Sequence, residues 1–203
     1  MQLLGTWTRR AYLSLMVGLL TAPKKRTKAY TPRSDAAADL PGVITADLRL
    51  VNPSIAVTKS KRRLRLYSAG KLVREYRVGL GLSPIEDKIK AGDRRTPEGE
   101  FYICRKNPKS KFYLSLELSY PNKRHADRGL TDGLISRAQY NQIITALQSK
   151  GVPPQNTNLG GEIFIHGNGS GSDWTWGCVA LEDRDVKELF DIIPVGTPVT
   201  IEH

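Results

Sequence analysis

The sequence predicts a mainly β domain, sandwich or barrel-like, carrying one or two helices. Several short runs alternate apolar and polar residues with the period of a strand, as in Arg63-Leu64-Arg65-Leu66-Tyr67. Turn residues are abundant, with 18 Gly and 12 Pro among 203 positions. One stretch only, near residues 136–150, shows a strong helical period.

In chain order, residues 1–22 read as an export signal or an N-terminal anchor. Arg9-Arg10 precede an apolar stretch over residues 11–22, shorter than the roughly 20 residues of a spanning helix. Residues 8–13 also come close to a twin-arginine export pattern. An exported, periplasmic or envelope protein is therefore expected, peripheral to the membrane or anchored to it. Residues 23–45, rich in Ala, Pro, Lys and Asp without periodicity, read as a linker. The folded domain is expected over residues 46–203. Net charge is +11, which suits polyanionic surroundings. No nucleic-acid motif accompanies it, so nucleic acid is not an expected partner.

Within the domain, residues 47–51 and 55–57 read as strands. Residues 63–67 and 72–78 form a hairpin turning at Ser68-Ala69-Gly70-Lys71. Two glycine-marked loops follow, the second ending in the tight turn Thr96-Pro97-Glu98-Gly99. Residues 100–104 and 113–120 are further strands, with Cys104 a buried apolar residue. His125 is expected in a solvated polar loop. Ser136 caps a helix whose face is Tyr140, Ile143, Ile144 and Leu147, stopped by Gly151. A shorter helix starts near Asp183 with Val186, Leu189 and Phe190 inward, and residues 197–201 close the domain as a strand.

The chemistry concentrates in residues 162–181, EIFIHGNGSGSDWTWGCVAL. A buried strand delivers His166, a polar loop follows, and Gly177-Cys178 lead into a second apolar run. A cysteine attacks as its thiolate, so an imidazole that takes its proton or stabilises its charge makes it a nucleophile. Backbone N–H groups beside it, at Gly177 and Cys178, are candidate oxyanion donors. Cys178 and His166 are the candidate catalytic pair. A disulfide between Cys104 and Cys178 would abolish that role. No Cys/His cluster has metal-site spacing, and neither metal nor cofactor is expected.

These residues resemble the active-site signature of the YkuD-type L,D-transpeptidase catalytic domain. That signature is His-Gly, a loop, then Ser/Thr-His-Gly-Cys, an apolar residue and Arg or Asn. Here His166-Gly167 match the first part, and Thr175, Gly177, Cys178 and Val179 the second. Trp176 replaces the motif histidine and Ala180 the Arg or Asn, a variant similar to a divergent, YafK-like branch. Residues 92–99 and the hairpin carrying Lys59, Leu66 and Gly70 also resemble the family.

The resemblance implies a YkuD-type fold and cysteine-dependent acyl transfer on peptidoglycan stem peptides through a thioester on Cys178. It also implies an alternative, an amidase or hydrolase that detaches a wall-linked lipoprotein or cleaves stems. A wall-binding module without turnover is the reading from a different class. Gly167, Trp174, Thr175 and Trp176 are the candidate substrate-binding residues. The two tryptophans are candidates for a stacking surface, with Trp176 shaping and drying the pocket wall.

Overall fold

The computed structural model describes residues 49–203. The expected export segment, the linker and the first residues of the domain lie outside them. Strands β1 (Ser54–Thr58), β2 (Arg63–Ser68), β3 (Lys71–Arg77), β4 (Gly99–Ser110), β5 (Tyr113–Leu118), β6 (Phe164–His166), β7 (Val179–Ala180) and β8 (Pro198–Glu202) form one sheet. Its order is β3-β2-β1-β8-β4-β5-β6-β7. The β1–β8 and β6–β7 pairs are parallel and the others antiparallel. This is the mainly β architecture that the alternating runs predict.

The hairpin of β2 and β3 turns on Ala69 and Gly70, both at positive φ, as a two-residue turn between twisted strands requires. Residues 49–51 contain no strand, so the run read as a strand over 47–51 is not one within the described residues. The chain leaving β3 then crosses to the other edge of the sheet. Gly79 and Ala180 exchange both amide hydrogen bonds, 2.9 and 2.8 Å, which ties β7 back to the β3 side and makes the sheet barrel-like. Ile55, Val57, Leu64, Leu66, Leu116, Leu118, Ile165 and Val179 fill the interior.

Helix α1 (Lys123–Thr131) occupies the segment expected to be a polar loop. Asn122 caps it, and His125 is wholly buried, between Asn122 Oδ1 at 2.5 Å and Asp87 Oδ1 at 3.1 Å. The face it turns inward is His125, Ala126 and Gly129, which carries no apolar stripe for a periodicity argument to find. Helix α2 (Arg137–Gln148) has Ser136 as N-cap in a full capping box with Gln139. It packs Ile143 beside Ala126, Ile135 and Leu159. Helix α3 (Asp183–Ile192) adds Val186 and Leu189 to the main core. No helix among the described residues is long and apolar enough to cross a membrane.

Lys59, just after β1, is fully buried. Its ammonium donates to Glu86 O (2.9 Å), Thr96 O (3.1 Å), Ile85 O (3.3 Å) and Glu98 Oε1 (2.8 Å). One cation thus gathers both ends of the loop 85–98 onto the sheet. Removing it strands a carboxylate and buried carbonyls. Lys59→Met is expected to cost about 3 kcal/mol or more of folding stability. Urea unfolding measures it, and an unchanged midpoint at unchanged slope would contradict the role.

Candidate active site

Parallel pairing of β6 with β7 sets Ile165 opposite Val179 and His166 opposite Ala180. Cys178, one residue earlier, is therefore brought alongside Phe164, two positions from His166. Sheet register thus unites the two residues separated by the polar loop. Both cysteines are free thiols, so the Cys104–Cys178 disulfide is not formed. Cys104 is buried as expected, and burial pushes its thiol up to about 12.

The His166 ring is buried, stacked on Phe112 (centroids 4.6 Å apart) and met edge-on by Trp174 (5.5 Å). Nδ1 lies 2.7 Å from Gly167 O. A carbonyl only accepts, so Nδ1 carries the proton and Nε2 is left with its lone pair. Burial lowers the His166 pKa below its ordinary value, with the Gly167 carbonyl opposing. The ring is therefore a neutral base at neutral pH.

The Cys178 thiol faces Glu162 O at 3.5 Å. Burial, with a smaller contribution from Glu162, pushes its pKa up to about 11. The Phe164 amide and the Lys88 charge pull the other way. An imidazolium–thiolate ion pair is therefore not the resting state. Thiol and imidazole are both neutral.

The loop between them is braced throughout. Asp173 accepts from Arg62 (2.7 Å to Nη2) and from the Leu80 amide (2.9 Å). Leu80 O receives the amides of Trp174 and Thr175. Gly167 donates to Phe112 O, and Glu182 Oε1 takes both the amide and the hydroxyl of Ser170. Thr175 is buried, its hydroxyl donating to Cys178 O (2.8 Å) and accepting from the Gly177 amide (3.1 Å). The Gly177 N–H is thus committed within the loop, while the Cys178 N–H has no protein acceptor among the described residues. Gly177 adopts φ +128°, and a Cβ there would meet Arg95 O at 2.7 Å.

Of the expected substrate-facing residues, Gly167, Trp174 and Thr175 are engaged inside the loop. Trp176 instead is 64% exposed, with the Arg94 guanidinium over its ring. It lies open to solvent and does not line a dry pocket wall. No ring contact joins it to Trp174 among the described residues, so the two do not form one stacking surface. Sequence reasoning passed over Phe112, Arg62 and Asp173, whose roles come from contacts distant in the chain. Nothing local in the sequence marks them. Among the described residues no cluster of three or more His, Cys, Asp or Glu could hold a metal ion.

A model of the L,D-transpeptidase catalytic domain family, YkuD, matches residues 52–201. The chain belongs to this family. A candidate L,D-transpeptidase of Bacillus licheniformis, YkuD, is 27% identical over 171 residues, 80% of this chain and 72% of that protein. Two solved structures are similar. The L,D-transpeptidase from Xylanimonas cellulosilytica gives a TM-score of 0.45 at 16% identity, over 76% of this chain and 62% of that one. The helical cell shape determining protein Pgp2 from Campylobacter jejuni gives 0.48 at 24%, over 74% and 47%. The chain spans less than two thirds of either. Family membership supports an enzyme of the L,D-transpeptidase kind.

Two outcomes follow from this geometry. With a neutral pair, alkylation of Cys178 by iodoacetamide is expected to be slow at pH 7 and to climb toward a midpoint near 11. Peptide mapping across pH measures it, and a midpoint near neutrality would show a preformed thiolate. Thr175→Val removes the hydroxyl that holds Gly177 and Cys178 together. We expect it to lower kcat/KM about tenfold or more through misplacement of the nucleophile, with Thr175→Ser restoring most of it.

Proposed function

We propose that this protein is an envelope L,D-transpeptidase in which Cys178 is the nucleophile and His166 the general base. The observation that carries the reading is the His166 tautomer: Gly167 O takes Nδ1–H, leaving a basic Nε2 on the strand next to the cysteine. In the acylation step the Cys178 proton passes to His166 Nε2 as sulfur attacks the carbonyl of an L,D peptide bond in a stem. The carbonyl oxygen becomes an oxyanion beside the Cys178 N–H. Collapse breaks the C–N bond, and the leaving amine takes the proton from His166, releasing D-alanine and leaving a thioester. An acceptor amine, of another stem or of a protein lysine, then attacks the thioester and yields its proton to His166. The C–S bond breaks and the thiol recovers its proton.

Because the imidazole works as a base in its neutral form, kcat/KM is expected to rise with pH through the lowered His166 pKa and then level off. An acid limb at or above the ordinary histidine range would contradict this. Intact-mass analysis of the reduced protein with muropeptides tests the chemistry. An acyl adduct on the wild type, absent from Cys178→Ala and His166→Ala, is expected. No adduct on the wild type would overturn the nucleophile and leave a wall-binding module as the better reading. Product partitioning between water and a competing amine distinguishes transferase from amidase or hydrolase.

A further inference from the structure

Trp176 precedes the nucleophile by two residues and lies open to solvent. The guanidinium carbon of Arg94 sits 4.6 Å from its ring centroid. Arg94 has no acidic partner among the described residues, although its loop is rich in acids. Asp93 is taken by Lys88, Glu86 by Arg95, and Asp87 by Arg124, Arg128 and His125. The backbone is built to hold Arg94 in place. It adopts φ +59°, a conformation that costs a residue with a side chain. Its carbonyl accepts from Ser83 N at 3.0 Å. A Cβ on Gly81 would lie 2.2 Å from Arg94 O and 3.2 Å from Gly177 Cα, so Gly81 brings the Arg94 backbone against the residue before Cys178.

A guanidinium lying on an indole is supported through its face, while its N–H donors point outward in the plane. That edge matches a carboxylate, which it binds with two parallel charge-assisted hydrogen bonds. We propose that Arg94, seated on Trp176, is a specificity-determining residue that binds the free carboxylate of the substrate residue leaving from Cys178. The assignment rests on the reading that Cys178 cleaves the L,D bond. In a stem ending in D-alanine, that carboxylate lies only about 4 Å from the carbonyl carbon under attack. A cation at the lip of the site therefore reads whether the stem ends at that residue or continues as an amide.

The test compares two stem tetrapeptides, one ending in D-alanine and one in D-alaninamide, on the wild type and on Arg94→Gln. The wild type is expected to favour the free carboxylate by about tenfold or more in kcat/KM, mainly through KM. Arg94→Gln is expected to lose that preference and to retain its activity on the amide. A second arm measures binding of both peptides to Cys178→Ala protein, with and without Arg94→Gln, by quenching of tryptophan fluorescence. Equal handling of the two peptides by the wild-type lip, or a preference that survives Arg94→Gln, overturns the proposal. Absence of any acyl adduct on the wild type overturns the catalytic reading instead, and the binding arm then decides the role of Arg94 alone.

Discussion

The paired amides of Gly79 and Ala180 are the contact on which the rest of this structure depends. They join the chain leaving β3 to β7, two edges of one sheet that lie far apart in sheet order. Closure sets Leu80 beneath the catalytic loop, where its carbonyl receives the amides of Trp174 and Thr175. It also requires backbones to touch. A Cβ on Gly79 would stand 2.2 Å from Ser172 O, so only glycine admits the approach. Behind this seam Thr96 Oγ1 holds the Gly81 amide and Lys59 gathers the following loop. Cys178 is two residues from the seam, placed by backbone contacts more than by its own side chain.

The electrostatics of the pair follow from that placement. A thiol whose pKa burial raises keeps its proton, and a buried imidazole without an acidic partner stays neutral. In the proposed reaction, charge then appears only during attack, when the proton crosses to Nε2. The orientation of His166 is set by Gly167 O, Phe112 and Trp174, without a histidine at position 176.

Much of the fold was legible because its strands alternate and its turns are marked. Arg63-Leu64-Arg65-Leu66 declares β2, Ala69-Gly70 its turn, and Ser136 the start of α2. The candidate site was legible for the same reason: Ile163-Phe164-Ile165 and Val179-Ala180-Leu181 flag the two strands whose pairing brings His166 and Cys178 together. Helix α1 escaped because its buried face is a histidine, an alanine and a glycine. The far half of β4 escaped because residues 105–110 are basic and include Pro108, which sits where the pairing register shifts. Trp176 lies under Arg94, more than eighty positions upstream, and no local pattern encodes that pairing.

Strand β8 has a consequence for how the domain comes into being. It is the last element in chain order, yet it lies between β1 and β4 at the middle of the sheet. During synthesis the hairpin and β1 can pair among themselves, but β1 keeps one bare edge until residues 198–202 have emerged. Only then does β8 bridge β1 to β4 within the sheet. Assembly of this domain is therefore a concluding event rather than a progressive one.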